Sequence, residues 1–251
     1  MKLSTIIVTR NRAGMLKDCL NSLVRQTKKP DEVIVVDNNS NDNTKQVAVN
    51  FSKKLSIRYI SEPRVGIPIA RNTGIKNAKY GIIAFTDDDC IADTNWVKEI
   101  KRLNKTYPNN FIFQGKSLNH YEKNIFAETT KLIEEFCYIK SKDNYIKNLD
   151  SRNVSLNKNS LKKLEHYFDI SFSRFNCGED TDLGFRLQLN GCKILYTPKM
   201  IVTHFYIKNF ASFIKQQFNR GRENCFINLK WKSCPSFISN CLEYPIILSG
   251  S

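Results

Sequence analysis

The chain has 251 residues, with 39 Lys and Arg against 24 Asp and Glu, a formal charge of +15. The length fits one large domain or two small ones with a sizeable core. The basic surplus points to anionic partners: nucleotides, phosphorylated lipids, acidic membrane surfaces or nucleic acid. The eight cysteines include no C-x-x-C pair, which argues against a zinc ribbon or a thioredoxin-like site, and no apolar run is long enough to cross a membrane.

In chain order, Leu3 to Val8 reads as a strand, and Leu16, Leu20, Leu23 and Val24 then recur at helical spacing. Glu32 to Val36 is a second buried strand, ending in the turn Asp37 to Asp42, which is rich in capping residues. A helix carrying Val47, Ala48 and Phe51 leads to a strand over Ile57 to Ile60 and a helix over Ile67 to Ala78. The strand Tyr80 to Thr86 ends abruptly in Asp87, Asp88 and Asp89. Trp96, Val97, Ile100 and Leu103 mark another helix. Strands alternating with amphipathic helices indicate an α/β fold with a mostly parallel, Rossmann-like sheet.

The second half is less regular. Phe111 to Gly115 reads as a strand, Phe126 to Ile139 as a helix and Asn153 to Leu156 as a short strand. Glu179 to Asn190 is a helix closed by Gly191, a C-terminal capping glycine. Lys193 to Tyr196 and Met200 to His204 read as two short strands, and Phe210, Phe213, Ile214 and Phe218 as one face of a basic helix. A tail begins near Trp231. The N-terminal apolar run is cut at Thr9 to Arg12, too early for a signal peptide, and free cysteines in apolar stretches suit a reducing cytosol. The closing run Tyr244 to Ser251 fits either the start of a membrane-seeking segment or an appended remnant.

Ligands of open α/β sheets bind beyond the carboxyl ends of the strands. Three such ends supply polar groups here: Thr9 to Arg12, Asp37 to Ser40 and Asp87 to Asp89. Together they suggest a nucleotide pocket, although each alone is also ordinary turn chemistry. Three clustered carboxylates repel one another unless solvent or a hard divalent cation offsets them, and both readings stand at this point. There is no G-x-G-x-x-G after the first strand and no G-x-x-x-x-G-K-[ST], which disfavours a dinucleotide dehydrogenase or a P-loop enzyme.

Five motifs in order resemble the family 2 glycosyltransferases of GT-A fold: Ile6 to Arg12, Val35 to Ser40, Gly66 with Ala70 to Gly74, Phe85 to Asp89, and Gly178 to Asp182. The resemblance covers roughly Lys2 to His204. It implies a GT-A domain over residues 1–230, with residues 1–115 binding the nucleotide sugar, residues 116–230 forming a smaller mixed acceptor side, and residues 231–251 as a tail. It also implies an inverting, metal-dependent transfer of one sugar, from a probable UDP-sugar donor, to a glycan or lipid-linked acceptor, with no nucleic acid involved.

By the same resemblance, Asp37 accepts a hydrogen bond from the uracil imide, while capping a helix is its ordinary alternative. Thr9 and Asn11 line the base and ribose pocket. Arg71 reaches the base or diphosphate, or else forms a helix-surface salt bridge. Asp87 and Asp89 match the two acids of a D-x-D motif, with Asp89 on Mn²⁺ or Mg²⁺ and Asp87 on the ribose or the metal; Asp88, in the variable middle position, either joins the nucleotide-sugar-binding residues or is simply solvated.

Glu179, Asp180 and Asp182 put more carboxylate into one turn than capping needs. The resemblance makes Asp180 the general base and Glu179 the residue that positions the acceptor. His204 is either a structural histidine or an additional metal ligand. Gln217 to Gly221 partly matches the Q-x-x-R-W motif of processive synthases, with Gly221 in place of Trp, which argues against processivity. Arg220 and Arg222 either pair with the diphosphate or belong to a solvated basic face. That basic segment, Phe205 to Lys232, suggests peripheral contact with an anionic membrane, such as the inner face of the plasma membrane. Rival readings are a non-catalytic polyanion-binding protein on the same scaffold, and a nucleotide-sugar pyrophosphorylase. The second needs a glycine-rich basic loop after the first strand, where only one glycine occurs.

Overall fold

The computed structural model describes residues 1–136, 144–174 and 178–232. Nine strands form one sheet: β1 (Leu3–Thr9), β2 (Glu32–Asp37), β3 (Ile57–Ser61), β4 (Ile82–Thr86), β5 (Cys90–Ala92), β6 (Phe111–Asn119), β7 (Tyr145–Ile146), β8 (Asn153–Asn157) and β9 (Lys193–His204). Seven helices accompany it: α1 (Ala13–Val24), α2 (Thr44–Phe51), α3 (Ile67–Asn77), α4 (Trp96–Thr106), α5 (Ile125–Phe136), α6 (Glu179–Leu189) and α7 (Phe210–Trp231).

The sheet order is β3-β2-β1-β4-β8-β6-β9-β5, with β7 added against β9. β3, β2, β1 and β4 run parallel, β8 runs antiparallel to both β4 and β6, and β6 returns to a parallel pairing with β9. The architecture is α/β, with a mixed, mostly parallel sheet between helices.

Period-two alternation in the parallel strands builds both halves of the core. Leu3, Ile7, Val33, Val35, Ile82 and Ala84 face Leu16, Leu20, Phe51, Trp96 and Ile100 of α1, α2 and α4. Their neighbours Ile6, Ile34, Val36, Ile83 and Phe85 face Ala70, Ile75, Leu183 and Leu187 of α3 and α6. Gly74 lets α3 lie close on the sheet, because a Cβ there would stand 2.5 Å from Ile6 Cγ2.

The second half differs from the sequence expectation chiefly at its last strand. Lys193 to Tyr196 and Met200 to His204 belong to a single twelve-residue strand. β9 pairs with β6 over Lys193 to Thr197 and again over Ile201 to His204, with a register shift between Gly115 and Lys116. Pro198 sits in the unpaired interval, where its missing N–H costs no ladder bond. The proline made one strand look like two. Two short strands, β5 and β7, were not anticipated. The expected helix to Ile139 is seen as far as Phe136, and its remainder lies outside the described residues, as does the tail from residue 233. Cys19, Cys90 and Cys192 are buried free thiols and Cys225 is an exposed one.

Candidate active site

Parallel pairing puts the carboxyl ends of β1, β2 and β4 along one edge, with Thr9 directly opposite Asp37. Thr9 is buried there. Asn11 adopts a left-handed φ of 54°, tolerable for asparagine. Its N–H donates to Ser40 Oγ at 2.9 Å and its Oδ1 accepts from the Asn41 N–H at 2.7 Å, which ties the first two loops together. Asp42 takes the helix-capping work: its carboxylate accepts from the N–H groups of Ala13 and Thr44, each at 3.0 Å. Asp37 is buried, and it accepts from the Ser40 N–H at 2.9 Å and the Tyr59 hydroxyl at 2.7 Å. Each of its oxygens keeps a second lone pair.

The three acids after β4 occupy three environments. Asp87 is partly exposed and faces a guanidinium nitrogen of Arg71 at 3.3 Å. The solvated alternative does not hold for Asp88, which is only 4% exposed. Burial pushes its carboxyl up to about 7, against the opposing pull of Arg12 at 3.1 Å. Asp89 is also desolvated, but His204 at 3.3 Å and Arg12 at 2.9 Å outweigh that cost and hold it near 2.

Pairing of β5 with β9 brings His204 opposite Cys90, so that donor atoms of Asp89, Cys90 and His204 lie within 4.8 Å of one another. Burial and the nearby carboxylates push the Cys90 thiol up, leaving it protonated and a poor ligand for a hard ion. Asp89 and the His204 imidazole are donors that fit Mn²⁺ or Mg²⁺. Arg152 donates to His204 Nδ1 at 3.0 Å, and an arginine has no acceptor to offer. Nδ1 therefore accepts, and the imidazole proton sits on Nε2, facing Asp89. In this arrangement His204 is a hydrogen-bonding bridge; ligation through Nε2 requires that proton to leave.

Gly178, with φ of 88°, turns the chain into α6, and a Cβ on it would meet Glu223 Cγ of α7 at 2.5 Å. The three acids of this turn divide their duties. Glu179 is buried and bonded to Arg71. Asp180 accepts from the N–H and hydroxyl of Ser151 at 3.2 and 3.1 Å. Burial, followed by the charges of Glu179 and Asp150, pushes the Asp180 carboxyl up to about 8. Asp182 is fully buried and binds Arg186 at 2.8 Å, Lys230 at 2.6 Å and the Trp231 indole at 3.0 Å. The carboxylate surplus noted in the sequence thus includes the anchor of α7.

Arg71 is buried, so the helix-surface alternative does not hold for it; its guanidinium joins Asp87 to Glu179. Arg220 binds Glu134 of α5, which also takes Arg152 at 2.9 Å and the Tyr206 hydroxyl at 2.8 Å. Arg222 is exposed on α7. The sequence reading assigned no role to Arg12, Ser151, Arg152 or Glu134. Only Arg12 carried a motif signal, since the others reach the site through the antiparallel pairing of β8 and the packing of α5.

Known proteins resemble this chain in sequence and in fold. Glycosyltransferase AglE of Haloferax volcanii is 41% identical over 100 residues, covering 38% of this chain and 33% of that protein. Chondroitin synthase of Pasteurella multocida is 29% identical over 232 residues, covering 76% of this chain and 23% of that one. Among solved structures, S. aureus TarS 1-349 in complex with UDP-GlcNAc matches at TM-score 0.66 and 20% identity over 84% of this chain and 60% of that one. Mannosyltransferase PcManGT from Pyrobaculum calidifontis, in complex with GDP-Man and Mn²⁺, matches at TM-score 0.71 and 16% identity, over 88% and 61%. The chain thus spans a third or less of those two curated relatives and about three fifths of the solved chains. Residues 4–164 match the family model for Glycosyl transferase family 2. The match extends over more than half of the sequence, and the chain belongs to that family.

Proposed function

We propose that this protein is an inverting, metal-dependent glycosyltransferase. It moves one sugar from a nucleotide diphosphate sugar, UDP-linked, to a hydroxyl of a glycan or lipid-linked saccharide. The observation that carries this reading is the Arg71 guanidinium held between Asp87 and Glu179. It joins an acid of the donor loop to an acid of the α6 turn, which supports a shared site.

In this reading residues 1–115 hold the donor and residues 116–230 shape the acceptor side. Thr9, Asn11 and Asp37 contact the nucleoside, the free lone pairs of Asp37 accepting from the base. Asp87 contacts the ribose, and Asp88 with Arg12 braces the loop that carries Asp89. Asp89 would hold the divalent cation, and His204 would join it through Nε2 when the ring proton moves to Nδ1 and the contact with Arg152 is given up. Held there, the cation would offer positive charge to the diphosphate leaving group. Asp180 removes the acceptor hydroxyl proton, the elevated affinity of its carboxyl for a proton suiting a general base. Glu179, fixed by Arg71, orients the acceptor. Arg220 supports Arg152 through Glu134, and Arg222 lies exposed on the same helix. Buried free thiols suit a cytoplasmic setting.

The test is turnover of UDP-, GDP- and dTDP-sugars with Mn²⁺, compared among wild type, Asp89→Ala and Asp180→Asn. Wild type should turn over a UDP-sugar, Asp89→Ala should lose donor turnover, and Asp180→Asn should bind donor without transferring it. Full transfer activity in either variant contradicts the role assigned to that residue.

A further inference from the structure

A helix on the surface of a water-soluble domain ordinarily turns its apolar stripe inward. α7 carries a second apolar stripe that faces outward. Phe210, Ile214, Phe218 and Leu229 are 62%, 49%, 68% and 65% exposed, and Cys225 is exposed beside them. Their spacing places them in one row along the helix. The inward side is mixed: Phe226 packs on the buried Phe172 at 4.9 Å, while Arg220 binds Glu134 and Lys230 binds Asp169 and Asp182. Ile227 is the one buried residue of the helix.

The fold explains the inward polarity, since buried acids of α5 and α6 need those cations. It does not explain the outward aromatics. Beside α7, Phe126 of α5 packs against Phe210 and Phe213 at 5.9 and 5.7 Å. α5 likewise exposes Ile125, Leu132 and Ile133. The two helices therefore present an extended apolar surface, more than scattered exposed residues account for.

The charges around this surface identify what covers it. The exposed charged positions on and just after α7 are Lys215, Arg222 and Lys232, all basic. The lone acid of the helix, Glu223, lies against Gly178 on the inner side. On α7, bulky apolar groups flanked by exposed cations suit the boundary between anionic headgroups and acyl chains, while Glu128 and the nearby Glu122 make α5 the less basic part of the surface. A second copy of this chain fits less well, because a two-fold contact would set like cations against one another.

We propose that the outer face of α7, with that of α5, seats the protein on an anionic lipid bilayer. Phe210, Ile214, Phe218 and Leu229 enter the headgroup boundary, and Lys215 and Lys232 pair with lipid phosphates. The inner face of the same helix reaches the active site through Arg220, Glu134, Arg152 and His204. Lipid contact would therefore bring that side of the cleft to the membrane.

Co-sedimentation of the full chain with vesicles tests this independently of sugar transfer. Phosphatidylcholine vesicles should bind weakly, and vesicles that also contain phosphatidylglycerol should bind well. Ile214→Ser with Phe218→Ser, and separately Lys215→Glu with Lys232→Glu, should each weaken that binding roughly tenfold. Donor turnover in vesicle-free buffer should be unchanged in both. Salt should weaken wild-type binding. Equal binding by wild type and the Ile214/Phe218 variant would overturn the proposal, as would equal binding to neutral vesicles. So would no binding to either vesicle, the outcome if another part of this chain covers the face. A concentration-dependent dimer abolished by Phe218→Ser would assign the surface to a second copy instead.

Discussion

Arg71 and Glu179 lie 108 residues apart in the chain and are hydrogen-bonded in the interior. Arg71 also reaches Asp87, so one cation serves acids from two regions of the sequence. Its own desolvation is outweighed by the carboxylates around it, which fix it as a permanent charge. Removing it leaves the buried Glu179 carboxylate without that partner, a loss on the order of 3–5 kcal/mol.

Arg71→Met should therefore lower unfolding stability by about that amount, measured by urea denaturation. Glu179→Gln should cost less, and the double variant should recover part of the Arg71→Met loss. The coupling from this double-mutant cycle should exceed about 1 kcal/mol. Additive effects of the two changes would show that the contact does not join the two halves of the site.

Metal binding separates the roles of Asp89 and His204. With UDP and Mn²⁺ together at a hundredfold excess over Kd, wild type should gain about 2.7 kcal/mol of stability, read as a rise in Tm. Asp89→Ala should lose the Mn²⁺-dependent part of that rise. His204→Ala should lose less, because the Nε2 proton must be displaced before the ring can serve. An unchanged Mn²⁺ increment in Asp89→Ala would rule out its place in the metal site.

The alternation of β1, β2 and β4 made the parallel half of the sheet legible, because strands buried on both faces are nearly continuous apolar runs. The acids were legible too, although their environments were not. Asp88 and Asp89 are adjacent, yet one is held near 7 and the other near 2. The difference comes from His204, 115 positions later, and no local pattern encodes it. Arg152 and Glu134 were invisible for the same reason: each is an ordinary charged residue until the fold brings Arg152 to His204 and Glu134 to Arg152. Pro198 misled in the opposite direction, since a bulge inside a long strand has the same local sequence as a break between two short ones.

Asp180 sets a pH dependence in both activity and stability. Burial and neighbouring negative charge raise its carboxyl from 3.8 to about 8. As the general base it works when ionised, so transfer should rise with pH along a limb near 8, and Asp180→Asn should abolish that limb. Stability moves the other way. Between about 4 and 8 the folded chain holds a proton that the unfolded chain has released. Its contribution is therefore full at low pH and lost as pH rises through the folded value. Asp180→Asn should flatten this slope. A wild-type transfer rate independent of pH between 6 and 9, with chemistry limiting, would remove Asp180 from the base role.

Asp182 should matter for the seating of α7. It is fully buried, and it accepts from Arg186 in its own helix and from Lys230 and Trp231 at the end of α7. Asp182→Asn keeps a carbonyl acceptor but removes the charge that offsets two cations, and Asp182→Ala removes both. Stability should fall in the order wild type, Asn, Ala, with Ala losing about 3–5 kcal/mol. Since Lys230 retains Asp169 at 2.7 Å, α7 should loosen at its C-terminal end before the domain unfolds. Limited proteolysis of Asp182→Asn should then cut first near Trp231, under conditions where far-ultraviolet circular dichroism still reports a folded sheet. Cleavage no faster than in wild type would mean that packing of Phe185 against Trp231, at 4.7 Å between ring centres, holds the helix end without the ion pair.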